Sequence, residues 1–346
     1  MSAFPDLVTA HRPLLVLAPM QHITDLPFWR VMRHYGGADL YYTEYFRVHR
    51  DSTLERPILR SVDENPTGRP VIAQMIGEHI PSLVRTAEAL QRHPVFGIDL
   101  NLGCPAPVVC RKNAGGGLLK TPEHIDGILR ALRPVINVQF TVKTRIGSRD
   151  PAEFDRLLEV FAAHKVDAFT VHGRTVAELY RTRVHLDRIR QAVETLQAPV
   201  IANGNVLSVA LARETLAATG AAGLMIGRGA IRNPWLFQQI RDDAQGRPVF
   251  KPTLRDLRGY IDHLNAETRL PHLNESENVS RLKRYMNFIG QGIGPDEAFL
   301  NAIRRAASEK EFFGLCDRYL DNDEPFAAEP AQRALLCTRS EALEMR

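Results

Sequence analysis

The sequence has few cysteines, and none lies at the spacing of a metal site or a disulfide framework. Its 346 residues include four Cys, and no two of them are spaced as Cys-x-x-Cys. A structural zinc site and a disulfide-rich secreted fold are therefore not expected, and a reducing compartment fits. The apolar run at residues 14–18 is too short to span a membrane and lacks the layout of a signal peptide. We expect a cytoplasmic protein without a membrane segment or a bound metal.

The net charge is too small to identify a nucleic-acid partner. It is +4 at pH 7 over the whole chain, so a surface that binds a polyanion would have to come from local basic patches. The sequence also has no Gly-x-Gly-x-x-Gly after a predicted strand, which argues against a nicotinamide held tightly in a Rossmann unit. The length predicts one large domain with a smaller one attached.

Short apolar runs alternate with helical patterns over most of the chain. The runs predict eight strands, at residues 14–18, 40–42, 71–74, 97–101, 140–145, 168–172, 200–203 and 222–226. Helical patterns lie between them, at residues 25–35, 81–92, 122–132, 151–164, 186–196 and 208–219. Eight strands joined by crossovers predict an α/β protein with a (β/α)₈ TIM barrel, and a doubly wound sheet is the alternative.

Polar residues at the ends of the predicted strands favour the barrel. Six of them fall at or just past a strand's C-terminal end, and they are Gln74, Asn101, Lys143, His172, Asn203 and Arg228. Barrel enzymes place their chemistry at this end, because all the strands open onto one mouth. One polar residue at a strand end would be weak evidence, because a strand commonly ends in a polar residue. Six that converge on one mouth are much stronger evidence.

The strand pattern stops before residue 247, and helical patterns follow. We predict a TIM-barrel catalytic domain over residues 1–246 and a small all-helical domain over residues 247–346. The helices are predicted at residues 254–267, 277–289, 296–306 and 308–320. The spacing in the second of these predicts a buried stripe made of Val279, Leu282, Met286 and Ile289. Its basic and aromatic residues fall largely outside that stripe.

A loop that carries Cys104 follows the fourth predicted strand. Residues 99–105 have the sequence Asp-Leu-Asn-Leu-Gly-Cys-Pro, and a glycine run follows at residues 115–117. The strand gives the loop a rigid base, while Gly103 and Pro105 define how it turns. A free cysteine is often just a small buried hydrophobic residue. The position at the C-terminal end of a strand, in a long glycine-rich loop, favours a functional thiol.

Two glycine-containing turns follow the seventh and eighth predicted strands. They are Asn-Gly-Asn at residues 203–205 and Gly-Arg-Gly at residues 227–229. Barrels commonly bind a phosphate between these two loops, and Arg228 would add a charged hydrogen bond. The alternative is that the glycines only turn the chain.

Lys143 on the fifth predicted strand has two interpretations. It is either a Schiff-base nucleophile or a cation beside a cofactor ring that becomes anionic on reduction. Strand alternation places Arg145 on the same face as Lys143, and the charges alone do not separate the two interpretations. A phosphate-bearing ring cofactor inside the barrel, such as FMN, fits these features better than a nicotinamide in a Rossmann unit.

Taken together, six motifs resemble those of the tRNA-dihydrouridine synthases (Dus). They are Ala-Pro-Met at residues 18–20, the stretch at 99–105, Val-Lys-Thr-Arg at 142–145, Val-His-Gly-Arg-Thr at 171–175, Asn-Gly at 203–204 and Met-Ile-Gly-Arg-Gly at 225–229. They occur in the family's order, and the similarity extends over about residues 14–245. Residues 43–48 and 278–285 resemble the C-type subfamily, which acts on uridine 16 of the D-loop.

The resemblance implies an oxidoreductase that reduces the C5–C6 bond of uridine in tRNA, with FMN bound and NADPH as electron donor. It implies that hydride passes from reduced FMN to C6, while Cys104 acts as general acid toward C5. The residues implied to hold FMN are Pro19, Met20, Gln21, Gln74, Lys143, His172, Asn203, Gly204, Asn205, Gly227 and Arg228. An unperturbed thiol keeps its proton at neutral pH, so we expect Cys104 to be protonated. Asn205 stands where many family members have an acidic residue, which weakens FMN binding if that carboxylate contacts the ribityl chain.

The resemblance also implies tRNA as the partner, and its target base has to leave the stack to react. The candidates for contact with tRNA are Arg47, Asn101, Arg145, Lys283, Arg284, Tyr285 and Phe288. Periodicity alone leaves it open whether Tyr285 and Phe288 belong to the core and whether the basic residues only form a solvated face. We expect the protein to be a monomer.

Three other functions remain to be distinguished. The first is an FMN barrel that acts on a free pyrimidine, as dihydroorotate dehydrogenases do, although a small substrate needs no added helical domain. The second is a lyase that uses Lys143 as a Schiff-base nucleophile. The third is an RNA-binding protein that has lost its chemistry, and the presence of Cys104, Lys143 and His172 argues against that loss.

Overall fold

A computed structural model describes residues 4–8 and 12–327. The strands of the described residues are β1 (Leu14–Leu17), β2 (Leu40–Tyr42), β3 (Phe46–Arg47), β4 (Val71–Ile76), β5 (Gly97–Leu102), β6 (Gln139–Arg145), β7 (Ala168–His172), β8 (Val200–Asn203) and β9 (Gly223–Ile226). All neighbouring pairs are parallel, β1 pairs with β9, and β2 pairs with both β1 and β4. The sheet therefore closes. β3 continues the line of β2 along β4, so the barrel has eight staves and the predicted TIM barrel is confirmed.

Helices lie around these strands and in the loops between them, and Phe4 of the first helix packs with side chains from the strands. They are α1 (Phe4–Leu7), α2 (Leu26–Arg33), α3 (Arg56–Glu64), α4 (Ile80–Leu90), α5 (Pro107–Cys110), α6 (Pro122–Leu132), α7 (Glu153–Ala162), α8 (Leu186–Thr195), α9 (Val209–Thr219), α10 (Arg228–Arg232) and α11 (Leu236–Ala244), with a 3-10 helix at Gly115–Lys120. The side chains of Asp25 and Ser208 accept backbone N–H groups at the starts of α2 and α9. The sequence pattern did not predict α3, which buries few apolar side chains.

Four helices follow the barrel. They are α12 (Leu254–Thr268), α13 (Glu275–Ile289), α14 (Ala298–Ile303) and α15 (Glu309–Leu320), with a 3-10 turn at Pro295–Glu297 before α14. The stripe predicted for α13 is buried, as expected. The helix predicted at residues 296–306 is shorter than expected, because Asp296 and Glu297 adopt positive φ angles of 51° and 59°, which no α-helix contains.

The helices after the barrel pack tightly against it. Tyr285 of α13 is buried, stacks on Phe28 with ring centroids 6.0 Å apart, and donates a hydrogen bond to the backbone oxygen of Ile23. Buried side chains from both regions form one hydrophobic core. The boundary at residue 246 stays a prediction, and residues 328–346 of the predicted second domain lie outside the described residues. Within the described part of the chain, no helix has both the length and the apolar character needed to cross a membrane.

Candidate active site

The strand register places polar side chains side by side at the mouth of the barrel. Gln74 on β4 lies next to Asp99 on β5. Asn101 on β5 lies next to Lys143 on β6, and His172 on β7 lies next to Asn203 on β8. Because the strands are parallel, their C-terminal ends open on the same side of the barrel. The residues predicted at the strand ends are therefore brought together.

The loop that carries Cys104 is fixed by backbone hydrogen bonds. Asn101 Oδ1 accepts the N–H groups of Gly103 and Cys104 at 3.0 and 2.9 Å. The backbone oxygen of Cys104 accepts the N–H of Gly116 at 3.0 Å. A Cβ at position 116 would lie 2.9 Å from that oxygen, so the glycine run is needed for this close approach. The half-buried thiol is thereby held between two turns of the chain.

The environment of Cys104 keeps its thiol protonated. Burial raises the pKa of Cys104 above its ordinary value, although Arg145 and a hydrogen bond with the Tyr45 hydroxyl act in the opposite direction. A general acid has to carry its proton at the working pH. Tyr45 lies in the interruption between β2 and β3, and burial raises its own pKa to about 12. Cys104 thus meets the first requirement for a proton donor.

Lys143 lies in the mouth, and its surroundings lower the pKa of its ammonium group. Its Nζ donates to Asn203 Oδ1 at 3.2 Å, and Asn203 Nδ2 donates to the backbone oxygen of Met225 at 2.8 Å. Burial, and next the charge of Arg145, lower the pKa of Lys143 to about 8. A buried ammonium group in this state gains free energy from a neighbouring negative charge. The side chain is therefore suited to face a group that becomes anionic.

Basic side chains surround His172 and Tyr180. Arg174 Nη1 lies 3.3 Å from His172 Nε2, and the Tyr180 ring is flanked by the guanidinium groups of Arg145 and Arg228, at 5.2 and 5.0 Å from its centroid. Burial lowers the pKa of His172 well below its ordinary value, and the surrounding cations lower it further. His172 is thus neutral at pH 7, and its Nε2 accepts the hydrogen bond from Arg174. This part of the mouth is built for an anion.

The residues of the mouth fit a phosphate-bearing ring cofactor. Within the described residues, Gln21 Oε1 is buried without a hydrogen-bond partner, which leaves an acceptor for a bound N–H group. A Cβ at position 227 would lie 2.9 Å from Met20 Sδ and 3.3 Å from Ala18 Cβ, so the loops after β9 and β1 approach each other closely at Gly227. Gly204 has a φ of 130°, which other residues rarely adopt. Arg228 Nη2 donates to Asn205 Oδ1 at 2.8 Å, so Asn205 contacts this arginine.

The structure corrects the prediction that Arg145 contacts tRNA. Only 1% of Arg145 is exposed. Its guanidinium donates to the backbone oxygens of Gly103, Thr175 and Leu179 at 3.0, 2.8 and 2.9 Å. Arg145 therefore joins the Cys104 loop to the loop after β7. Its side chain is not free to reach a phosphate at the surface.

Three of the candidate residues on α13 make contacts within the fold. Tyr285 is 3% exposed and belongs to the core between α13 and α2. Lys283 Nζ donates to the backbone oxygens of Arg304 and Ala306 at 3.3 and 2.9 Å, beyond the end of α14. Phe288 is partly buried and packs against the core. These contacts give the three side chains a role in packing.

The other candidates for contact with tRNA are placed differently. Arg284 on α13 and Arg47 on β3 are exposed, and Arg47 lies over the Tyr45 ring at 5.5 Å. Asn101 is buried inside the mouth, where its amide groups contact Gln74 and the Cys104 loop. Arg284 and Arg47 are therefore the most exposed members of the set.

Several polar residues of the site were not among the predicted ones. They are Tyr45, Asp99, Thr141, Arg174 and Tyr180. Strand alternation contained a signal for two of them, since Asp99 and Asn101 share a face, as do Thr141 and Lys143. Asp99 accepts hydrogen bonds from Gln74 Nε2 at 2.8 Å and Thr141 Oγ1 at 2.7 Å. Tyr45 and Tyr180 lie in loops, and their contacts depend on the three-dimensional fold.

Comparison with known proteins agrees with this geometry. The model of the family "Dihydrouridine synthase (Dus)" matches residues 16–309. The tRNA-dihydrouridine(16) synthase of Ralstonia nicotianae is 30% identical over 88% of this chain and 96% of its own length. The probable tRNA-dihydrouridine synthase of Helicobacter pylori strain J99 is 36% identical over 89% of this chain and 92% of its own length. The tRNA-dihydrouridine synthase B of Pasteurella multocida is 30% identical over 86% and 90%.

One solved structure shares the fold. It is described as "Crystal structure of TcOYE with pHBA", has a TM-score of 0.51 and 12% identity, and covers 71% of this chain and 94% of that one. The fold is that of a TIM barrel, and its mouth holds a half-buried thiol beside several basic side chains. The chain belongs to the dihydrouridine synthase family, whose members are oxidoreductases that act on a CH–CH group. The resemblance noted in the sequence is thus confirmed.

Proposed function

We propose that this protein reduces uridine in tRNA to 5,6-dihydrouridine, with FMN bound in the barrel mouth and NADPH as electron donor. The names of its relatives support tRNA as the substrate. The observation that carries the chemistry is the placement of Cys104, whose thiol pKa is raised by burial, at the same mouth as Lys143 and a cluster of basic side chains. A thiol acid and a cation at one mouth suit the addition of hydrogen across a carbon–carbon double bond.

The cofactor would be held by loops from several strands. Pro19, Met20 and Gln21 after β1 would contact its ring, together with Gln74 of β4 and Lys143 of β6. The ribityl chain and phosphate would be bound by the loops after β7, β8 and β9, which contribute His172, Asn203, Gly204, Asn205, Gly227 and Arg228. When bound, FMN would supply the hydride that uridine receives at C6. Lys143 would face the ring, where its positive charge offsets negative charge that develops on reduction.

The side chains of the mouth would supply the proton that C5 receives. Negative charge develops at C5 of the uracil and at its C4 carbonyl when C6 receives hydride, and Cys104 donates its proton to C5. Asn101 holds the Cys104 loop through two N–H groups, which keeps the thiol in place. Neutral His172 would accept or donate a hydrogen bond without adding charge. The protein thus supplies orientation and one proton.

Recognition of tRNA would involve exposed basic residues beside the mouth. A buried uridine has to leave the base stack before C5 can reach Cys104. Arg47 and Arg284 are exposed on β3 and α13, and each would bind the RNA backbone. The relatives named tRNA-dihydrouridine(16) synthase support position 16 of the D-loop as the target.

The visible absorption spectrum of the purified protein tests this function. We expect a yellow protein that bleaches with NADPH in the absence of oxygen and regains its colour when unmodified tRNA is added. Mapping of dihydrouridine in the product tRNA then identifies the position. A yellow protein that only a free pyrimidine reoxidises would refute the tRNA substrate. A colourless protein that cannot take up FMN would refute the cofactor and favour Lys143 as a nucleophile.

A further inference from the structure

A chain of hydrogen bonds connects the interior of the barrel with the backbone of Cys104. Asp99, in the middle of β5, is 0% exposed and accepts a hydrogen bond from Gln74 Nε2 at 2.8 Å. Gln74 Oε1 accepts one from Asn101 Nδ2 at 2.7 Å. Asn101 Oδ1 in turn accepts the N–H of Cys104 at 2.9 Å. Three side chains on two neighbouring strands thus lead to the loop that carries the thiol.

Asp99, at the buried end of this series of hydrogen bonds, sets which group donates and which accepts in each of them. The two oxygens of Asp99 accept from Gln74 Nε2 and Thr141 Oγ1, and in its ionised form Asp99 has only acceptor atoms, so Gln74 has to turn its NH₂ group toward Asp99 and its oxygen toward Asn101. Asn101 then has to turn its NH₂ group toward Gln74, which leaves its oxygen for the N–H of Cys104. An amide in place of Asp99 offers both a donor and an acceptor, so it no longer selects one orientation.

The surroundings of Asp99 favour this arrangement. Thr141 Oγ1 donates to the second carboxylate oxygen at 2.7 Å. The ionisable groups that interact with Asp99 are Lys143 of β6 and Tyr42 of β2. Burial raises the pKa of Asp99 to about 7, while the hydrogen bonds from Thr141 and Gln74 and the charge of Lys143 favour the ionised form. A buried carboxylate at this position is costly unless its partners are in place.

We propose that Asp99 is a positioning residue, which fixes the orientation of Gln74 and Asn101 and thereby holds the backbone of Cys104 at the mouth. The inference rests on the proposed function, in which Cys104 donates the proton. Asp99 lies below the reacting groups, and its effect reaches Cys104 through two amide side chains. This role differs from general support of the fold, because it predicts a dependence on Gln74 and Asn101.

The rate of alkylation of Cys104 by iodoacetamide tests this role without tRNA. Peptide mapping by mass spectrometry separates Cys104 from Cys110 in the purified full-length protein. We expect Asp99→Asn and Asn101→Ala each to accelerate alkylation about tenfold, because the first variant frees the orientation of Asn101 and the second removes both hydrogen bonds from the loop to Asn101 Oδ1. The double variant should react no faster than Asn101→Ala, since both changes break the same chain.

Asp39→Asn is the matched control. Asp39 is also a buried carboxylate, and it bonds to Arg241 and to the N–H of Leu15, outside the chain that leads to Cys104. We expect Asp39→Asn to lower stability and leave the alkylation of Cys104 unchanged. Acceleration by Asp39→Asn equal to that by Asp99→Asn would show general loosening and overturn the proposal. A wild-type rate in Asp99→Asn, or effects that multiply in the double variant, would do the same.

A second variant covers the case in which Asp99→Asn does not fold. Gln74→Met keeps the size of the side chain and removes the two hydrogen bonds by which Gln74 links Asp99 to Asn101. Alkylation accelerated as in Asn101→Ala supports the proposal, and an unchanged rate overturns it.

Single-turnover kinetics with tRNA then separate orientation from binding. In Asp99→Asn we expect a slower reoxidation by tRNA with an unchanged Kd for tRNA, and equal losses in both would contradict a positioning role. If tRNA is not the substrate, these kinetics fail in the wild-type protein too, whereas the alkylation result still decides the role of Asp99.

Discussion

Cys104 is the single residue on which the proposed chemistry depends most. Lys143 and Arg145 lie near enough to favour the thiolate, but burial is the larger effect and raises the pKa of the thiol. The balance matters because a thiolate cannot donate the proton that C5 needs. Cys110, six residues along the chain, donates to the backbone oxygen of Cys104 at 3.5 Å and therefore provides a comparison at the same loop.

Replacement of Cys104 should separate the two half-reactions. We expect Cys104→Ala to slow reoxidation of the reduced protein by tRNA by about 10²–10⁴-fold, the range typical of a lost general acid. Reduction by NADPH should be unchanged, because that step does not use the thiol. Stopped-flow absorbance measures both steps. Cys110→Ala is the control and should behave like the wild type, and a loss of equal size in Cys110→Ala would contradict the assignment.

The hydrogen bond between Tyr45 and Cys104 affects the pKa of the thiol. Because that bond lowers the pKa of the thiol, Tyr45→Phe should raise it further. We expect the pH profile of Cys104 alkylation to move to higher pH, with a slower reaction at any pH below the pKa of the thiol. Tyr41→Phe is the control, since the Tyr41 hydroxyl accepts the N–H of Ala38. A shift toward lower pH in Tyr45→Phe would contradict this role.

At the scale of elements, α13 has a side packed against the rest of the fold and an exposed side. Its buried side packs on the barrel through Tyr285 and on α14 through the contacts of Lys283. Its exposed side presents Arg284. Adjacent basic residues on one helix therefore have different surroundings, which the sequence pattern does not distinguish.

Single substitutions should separate these roles. We expect Arg284→Ala to weaken tRNA binding and to reduce the slope of log affinity against log salt by about 1, as expected for one lost phosphate contact. Lys283→Ala should lower the free energy of unfolding by about 1 kcal/mol, because two carbonyl groups lose a donor, with little change in the salt dependence. Filter binding at several salt concentrations and urea unfolding measure the two effects.

FMN content is the internal control for both variants and should stay at the wild-type level. An unchanged tRNA affinity in Arg284→Ala would refute the proposed contact. A flattened salt dependence in Lys283→Ala would instead return Lys283 to the set that binds RNA.

At the scale of the whole molecule, Arg232 links the C-terminal helices to the barrel through hydrogen bonds. Only 2% of Arg232 is exposed, and its Nη1 lies 3.3, 3.3 and 2.6 Å from the backbone oxygens of Phe288, Ile289 and Gln291. Its guanidinium also lies 4.8 Å from the centroid of Phe326. One side chain of α10 thus satisfies carbonyl groups at the end of α13.

Removal of this guanidinium should weaken the attachment of the C-terminal helices. We expect Arg232→Met to lower the free energy of unfolding by about 3 kcal/mol, because buried carbonyl groups lose a charged donor. Urea unfolding followed by circular dichroism measures the change, and limited proteolysis should cut between the barrel and α12 sooner. Arg305→Met, at an exposed position, is the control. Equal stability of the two variants would contradict the role of Arg232.

The sequence by itself determined the barrel and which polar residues meet at its mouth. The predicted strands lie within one or two residues of the observed ones at each end, because apolar runs bounded by polar residues follow from local chain chemistry. The strand-end residues Gln74, Asn101, Lys143, His172 and Asn203 meet at the mouth because parallel strands share one direction. Family motifs add the thiol of Cys104 to this set.

Only the tertiary structure decided what the charged and aromatic side chains contact. Arg145 and Tyr285 have the residue types of an RNA-binding surface, yet one binds loop carbonyls and the other lies in the core. The chain from Asp99 to Cys104 likewise depends on the register between β4 and β5. Periodicity assigns a residue to a face of its own element, whereas its partners come from elements distant in the sequence, and only the folded chain brings them together.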